Sequence, residues 1–122
     1  AMKQAARLCL RAASKEMAAE AARPLEASCL CGGFRIEVAG PPAQVRACHC
    51  SLCRRQSGGA LVAFAALPRD ALSPSLKACP RVVEYRSSES ASRLFCGACG
   101  SFLCMDRGEP ATLWASLGLF GS

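Results

Sequence analysis

Seven of the ten cysteines in this chain fall into three tight groups, and thiols at such spacing suit a metal ion. The groups are Cys29-x-Cys31, Cys48-His49-Cys50-Ser51-Leu52-Cys53 and Cys96-Gly97-Ala98-Cys99. Thiolates two or three residues apart can grip one ion without a long loop. Core packing gives no reason for such pairs to recur in one small domain. Zn²⁺ is the usual occupant, tetrahedral, with sulfur at about 2.3 Å. Seven ligands do not fill two four-thiolate sites, but four plus three does divide them. One site would then be closed and structural. The other would keep a position for water or substrate, where chemistry can occur.

The order of the groups suggests the division. Cys29 and Cys31 precede an alternating strand. Cys96 and Cys99 sit on the turn Phe95-Cys-Gly-Ala-Cys-Gly-Ser101, a knuckle that points backbone N–H groups at sulfur. Joining these two pairs would close a loop of about 67 residues. Long closures restrict the unfolded chain most. Cys48, Cys50 and Cys53 would remain as a local triad. The ligand count alone leaves this open, because Cys104 as an eighth ligand would close both sites. Cys9, Cys79 and Cys104 lack partners at metal spacing and read as small apolar residues, with Cys104 the most buried. His49, the single histidine, lies between two ligands. It reads as a spectator turned away from the metal, since neighbours in extended chain face opposite ways.

The elements that must position these thiols are mostly short strands. Phe34, Ile36 and Val38 alternate with Arg35 and Glu37, a half-buried strand ended by Gly40-Pro41-Pro42. Residues 45–47 lead into the second group. Residues 60–67 form a continuous apolar run suited to a buried strand. Pro68-Arg69-Asp70 turns, through at most one helical turn. Residues 81–85 and 92–95 are strands around a Ser-rich turn at Ser87–Ser90, and residues 102–105 and 112–117 follow. Many short strands with Gly, Pro and Ser turns predict an all-β domain. Residues 2–22 are Ala-rich and free of Pro and Gly, which predicts a helix closed by Pro24. The expected organisation is thus an N-terminal helical extension over 1–24 and a zinc-binding β domain over 25–122.

At 122 residues the chain is one domain. Five Phe, one Trp and one Tyr make a thin core, which metal staples would reinforce. The formal charge of +6 counts every cysteine as neutral. Seven thiolates on two Zn²⁺ ions would roughly halve it, so the basic balance argues weakly for nucleic acid and a nucleic-acid partner is not expected. No run is long enough to span a membrane. Arg7 and Arg11 break the apolar stretch that a secretory signal would need. A reducing compartment with metal-bound thiolates is therefore expected over disulfides, and the cytoplasm over export. The basic first half of residues 2–22 resembles an organellar transit peptide, against which Glu16 and Glu20 count.

Taken together, Ser28-Cys-Leu-Cys-Gly32, Cys48-His-Cys-Ser-Leu-Cys-Arg-Arg-Gln-Ser-Gly58, Tyr85-Arg-Ser-Ser88 and Phe95-Cys-Gly-Ala-Cys-Gly-Ser101 resemble the glutathione-dependent formaldehyde-activating enzyme family, which includes centromere protein V. The resemblance covers roughly residues 26–120. It implies a β-tent of short coiled antiparallel sheets stapled by zinc. It implies a structural zinc on Cys29, Cys31, Cys96 and Cys99, and a catalytic zinc on Cys48, Cys50 and Cys53. It implies a carbon–sulfur lyase that joins formaldehyde to glutathione, with glutathione or a similar small thiol and a small aldehyde as partners. Arg54 and Arg55, just past the triad, would receive the carboxylates of glutathione. The alternative is a non-catalytic zinc-framework binding module of the centromere protein V type. Family members usually continue beyond the last strand with a segment carrying a His and a Trp, so the β domain is expected to be shortened at its C-terminus.

Overall fold

In a computed structural model, residues 23–121 are described, and the helix expected over 2–22, with Cys9, lies outside them. The alternation read from the sequence is realised in β2 (Arg35–Val38), where Ile36 and Val38 are buried and Arg35 and Glu37 exposed. β2 pairs antiparallel with β1 (Leu25–Ser28), and the first cysteine pair lies in the turn between them. The other strands form one six-stranded sheet in the order β3-β4-β8-β7-β6-β5. These are β3 (Gln44–Cys48), β4 (Val62–Pro68), β5 (Val82–Arg86), β6 (Ser92–Cys96), β7 (Phe102–Asp106) and β8 (Thr112–Ser116). Every neighbouring pair is antiparallel. With only two short α-helices among the described residues, the chain is the mostly β domain of antiparallel sheets that the sequence predicts.

The large sheet is buried on both sides, by different partners. On one face Leu67, Leu103, Cys104, Leu113 and Ala115 pack with Ala27, Phe34, Ile36 and Val38 of the small sheet region. On the other, Val62, Phe64, Ala66 and Trp114 pack with Cys53, and Cys48, Phe102 and Met105 lie at the margin. A bulge separates these roles on β7. Leu94 pairs with Cys104 but Phe95 pairs with Phe102, so one step on β6 meets two on β7. Leu103 and Cys104 therefore both enter the first core, and Phe102 meets Phe64 edge-to-face at 5.8 Å on the second.

Two helices depart from the sequence expectation. α1 (Ser51–Ser57) occupies the second cysteine group, where no helix was expected. Its pattern is hard to see because Cys53 is its one buried residue. α2 (Arg69–Ala78) is ten residues long, where at most one helical turn was expected. Pro74 inside it removes a helical N–H, which reads as a break. Tertiary contacts override that cost: Leu72 and Leu76, four apart, are both buried in the first core. The Arg69 guanidinium also pins the helix start, donating to Asp106 carboxylate oxygens at 2.6 and 2.8 Å and to the Glu109 carbonyl at 2.8 and 3.1 Å. That fork holds the Asp106 carboxyl below its ordinary range.

Candidate metal centres

Each half of the first centre is a knuckle. After Cys29 the chain reverses so that the Gly32 N–H donates to the Cys29 carbonyl at 2.9 Å. The Phe34 N–H then points at Cys29 Sγ, 3.3 Å away. The second knuckle repeats this, with the Gly100 N–H donating to the Cys96 carbonyl at 2.7 Å. Gly32 and Gly100 have φ of 74° and 77°, a left-handed turn that other residues enter at a cost. Ser101 ties the knuckles together: its Oγ accepts the Leu30 N–H at 3.0 Å and lies 3.2 Å from Cys99 Sγ.

The four sulfurs of Cys29, Cys31, Cys96 and Cys99 lie within 4.8 Å of one another. Cys29 to Cys31 is 3.5 Å and Cys31 to Cys96 is 3.8 Å. A zinc tetrahedron with the usual bond length has sulfur–sulfur edges of about 3.8 Å. A disulfide would need about 2.05 Å, and these thiols are free. The soft donor set and the spacing fit a metal ion, and the cluster could hold one. Cys29 and Cys96 are buried, Cys99 is half-buried and Cys31 is exposed, with Arg81 Nη1 at 3.6 Å from Cys31 Sγ.

The second cluster is built on α1. Cys48 ends β3, half-buried. Cys50 caps the helix, its sulfur accepting the Cys53 N–H at 3.5 Å. Cys53 is in the first turn with only 1% of its surface exposed. The helix closes where the Gly58 N–H donates to the Arg54 carbonyl at 2.8 Å. The three sulfurs lie within 4.8 Å of one another, and this set too could hold a metal. One of them, Cys50, faces solvent.

Cys104 stands apart from both groups. It is fully buried in the first core, and burial pushes its thiol up to about 12. Cys79 is half-buried and donates to the Gly33 carbonyl at 3.4 Å. His49, Arg54 and Arg55 are exposed.

Sequence reading missed Arg93. It sits on β6 with 4% of its surface exposed, and its two terminal nitrogens each lie 3.6 Å from Cys53 Sγ. Nη1 also donates to Gln56 Oε1 at 3.1 Å, and the guanidinium stacks over Phe102 at 5.9 Å. The available signal was period 2: in Ser92-Arg-Leu-Phe-Cys96, Arg93 must face away from Leu94 and Cys96, into the second core.

The thiols differ in how readily they ionise. The Cys53 N–H is the main influence that brings Cys50 down to about 7. The Ser101 hydroxyl is the main influence that brings Cys99 down to about 5. Burial drives Cys53 up to about 11, with the Arg93 hydrogen bonds pulling the other way. Thiolate is the reactive form. With the triad emptied and the quartet still loaded, Cys50 should thus be the first of the three triad thiols alkylated at neutral pH. Its rate should level off above pH about 7. Cys104 should stay unlabelled. Mass spectrometry after timed iodoacetamide pulses reads this, and uniform labelling across the triad would contradict it.

A model of the family described as "Glutathione-dependent formaldehyde-activating enzyme" matches residues 24–121. An uncharacterized lyase of Schizosaccharomyces pombe is 31% identical over 78 residues, covering 64% of this chain and 54% of that protein. The chain thus spans about half the length of that curated relative. The crystal structure of a Rhodobacter sphaeroides protein has the same fold, with a TM-score of 0.55 at 20% identity over 77% of this chain and 85% of that one. No helix among the described residues is long and apolar enough to cross a membrane.

Proposed function

This chain belongs to the glutathione-dependent formaldehyde-activating enzyme family, and from that premise we propose that it is a zinc-dependent carbon–sulfur lyase acting on the adduct of glutathione and formaldehyde. Cys29, Cys31, Cys96 and Cys99 hold a structural zinc in this reading, and Cys48, Cys50 and Cys53 a catalytic one. The observation that carries it is the second cluster: three free thiols, one buried and one facing solvent, gathered at the start of one helix.

Zinc bound there would supply the charge that keeps nearby sulfur ionised at neutral pH. The chain's own residues do the rest. Cys53 is the fixed ligand, buried and gripped by Arg93, and Cys50 is the accessible one. Arg54 and Arg55, exposed on α1, receive the carboxylates of the thiol substrate and keep it beside the site. The glutathione sulfur gives its proton to water and attacks the formaldehyde carbon. A C–S bond forms, the carbonyl π pair moves to oxygen, and that oxygen takes a proton from water. The reverse sequence releases formaldehyde.

Calorimetric titration of the zinc-loaded protein with glutathione tests the reading. Binding at millimolar concentration or below is expected. Arg54→Ala and Arg55→Ala should each weaken it by about 1.5-fold to fivefold, the range for solvent-exposed charge pairs. Zinc content should not change, since neither arginine is a ligand. A zinc-replete protein that ignores millimolar glutathione would instead be a binding module.

A further inference from the structure

Arg93 is the one buried arginine of the described residues, and no carboxylate lies within ion-pair distance of it. Its Nε is buried without a hydrogen-bond partner. A guanidinium does not shed its proton in proteins, so the charge is permanent. A desolvated, unpaired charge is costly. The neighbours that could offset it are a neutral amide, Gln56, the face of Phe102, and the sulfur of Cys53. Only the sulfur can carry a negative charge.

We propose that Arg93 is a positioning residue of the triad: its buried charge balances the three-thiolate site, and its fork fixes Cys53 as the anchored ligand. The proposal rests on reading Cys48, Cys50 and Cys53 as a metal site. Three thiolates and one divalent cation carry a net charge of minus one, which Arg93 cancels. An incoming anionic sulfur then meets a neutral buried unit rather than a repelling one. The geometry serves the same end. Cys53 and Gln56 lie three apart on one face of α1, so a single fork from β6 reaches both and docks the helix on the sheet. The cluster of Cys29, Cys31, Cys96 and Cys99 has its own arginine at the same 3.6 Å, but Arg81 is exposed there and water shares the balancing.

The test uses the full chain loaded with zinc and follows release of the weaker-held equivalent to a chelator. Arg93→Gln keeps hydrogen-bonding capacity and loses the charge. It should speed release by about tenfold to a hundredfold, the usual effect of removing a partner that supports a metal ligand. Arg93→Lys should recover most of that loss. Gln56→Ala, which leaves the charge in place, should stay within about twofold of the parent. Parental release from Arg93→Gln, or a Lys variant as poor as the Gln variant, would overturn the proposal. Should Arg93→Gln fail to fold, cobalt in the triad decides. The parent and Arg93→Lys should then give thiolate-to-cobalt bands at different energies, because two N–H contacts on the sulfur become one ammonium contact. Identical bands would overturn it. Neither readout uses glutathione. Loss of glutathione binding with these effects intact would reject the lyase reading alone, and glutathione binding with unchanged release would reject the role of Arg93 alone.

Discussion

Cys96→Ser is expected to destabilise the domain by several kcal/mol, of the same order as its entire folding free energy. Cys96 is fully buried, at the end of β6, and its sulfur is 3.8 Å from Cys31 across the sheets. The small sheet meets the rest of the domain through apolar contacts, the Leu30 N–H bond to Ser101 and one isolated backbone bridge, Ala27 to Phe120, past the last strand. A metal on the quartet would be the strongest link between the two parts. A serine there loses the ligand and leaves a hydroxyl in a site shaped for sulfur. Cys104→Ala is the control, because Cys104 is equally buried but outside both clusters. It should cost only about 1–2 kcal/mol, a packing loss. Chemical denaturation followed by circular dichroism compares the two. Equal costs would place Cys96 among ordinary core residues.

Graded chelation should remove metal in two separate steps. The first should take one equivalent per chain and leave the sheet intact, and the second should unfold the domain. The reason is ligand count and location. The triad offers three thiols, one exposed, around the start of a seven-residue helix at the sheet margin. The quartet offers four, with two buried, and joins residues far apart in sequence. Metal content by mass spectrometry and helix and sheet content by circular dichroism, taken along one titration, read both steps. Release of both equivalents together with the fold would contradict the assignment of separate roles.

Cysteine spacing carried much of the candidate site, because the ligands of one ion must be close in space and the members of each cysteine group are close in sequence. The strands were legible because Ile36, Val38 and the run from residue 62 to 67 follow the burial of the sheet directly. The helices were not. α1 has one buried residue, so its period leaves no apolar trace, and α2 carries a proline that its tertiary anchors tolerate. Arg93 escaped for a related reason. A charged residue in a strand reads as solvent-facing until the other face is known to hold thiols rather than water. Its meaning lies in the pairing of β6 beneath α1, which is a long-range fact.

The compactness of the triad also bears on how a nascent chain meets its metal. Cys48, Cys50 and Cys53 leave the ribosome together, about 43 residues before Cys96. A set closed over so few residues needs little of the chain to be ordered before it can chelate. The quartet exists only once both its halves have been made and the sheet has closed. If the triad is a metal site, the earliest ion would be captured by the three-thiol set, on a chain that has no fold yet. A ligand held by folded and unfolded chains alike shifts the balance between them only by the difference in affinity. Occupancy of the triad would then raise the thermal midpoint only by the affinity that folding adds, the contact of Arg93 with Cys53 included.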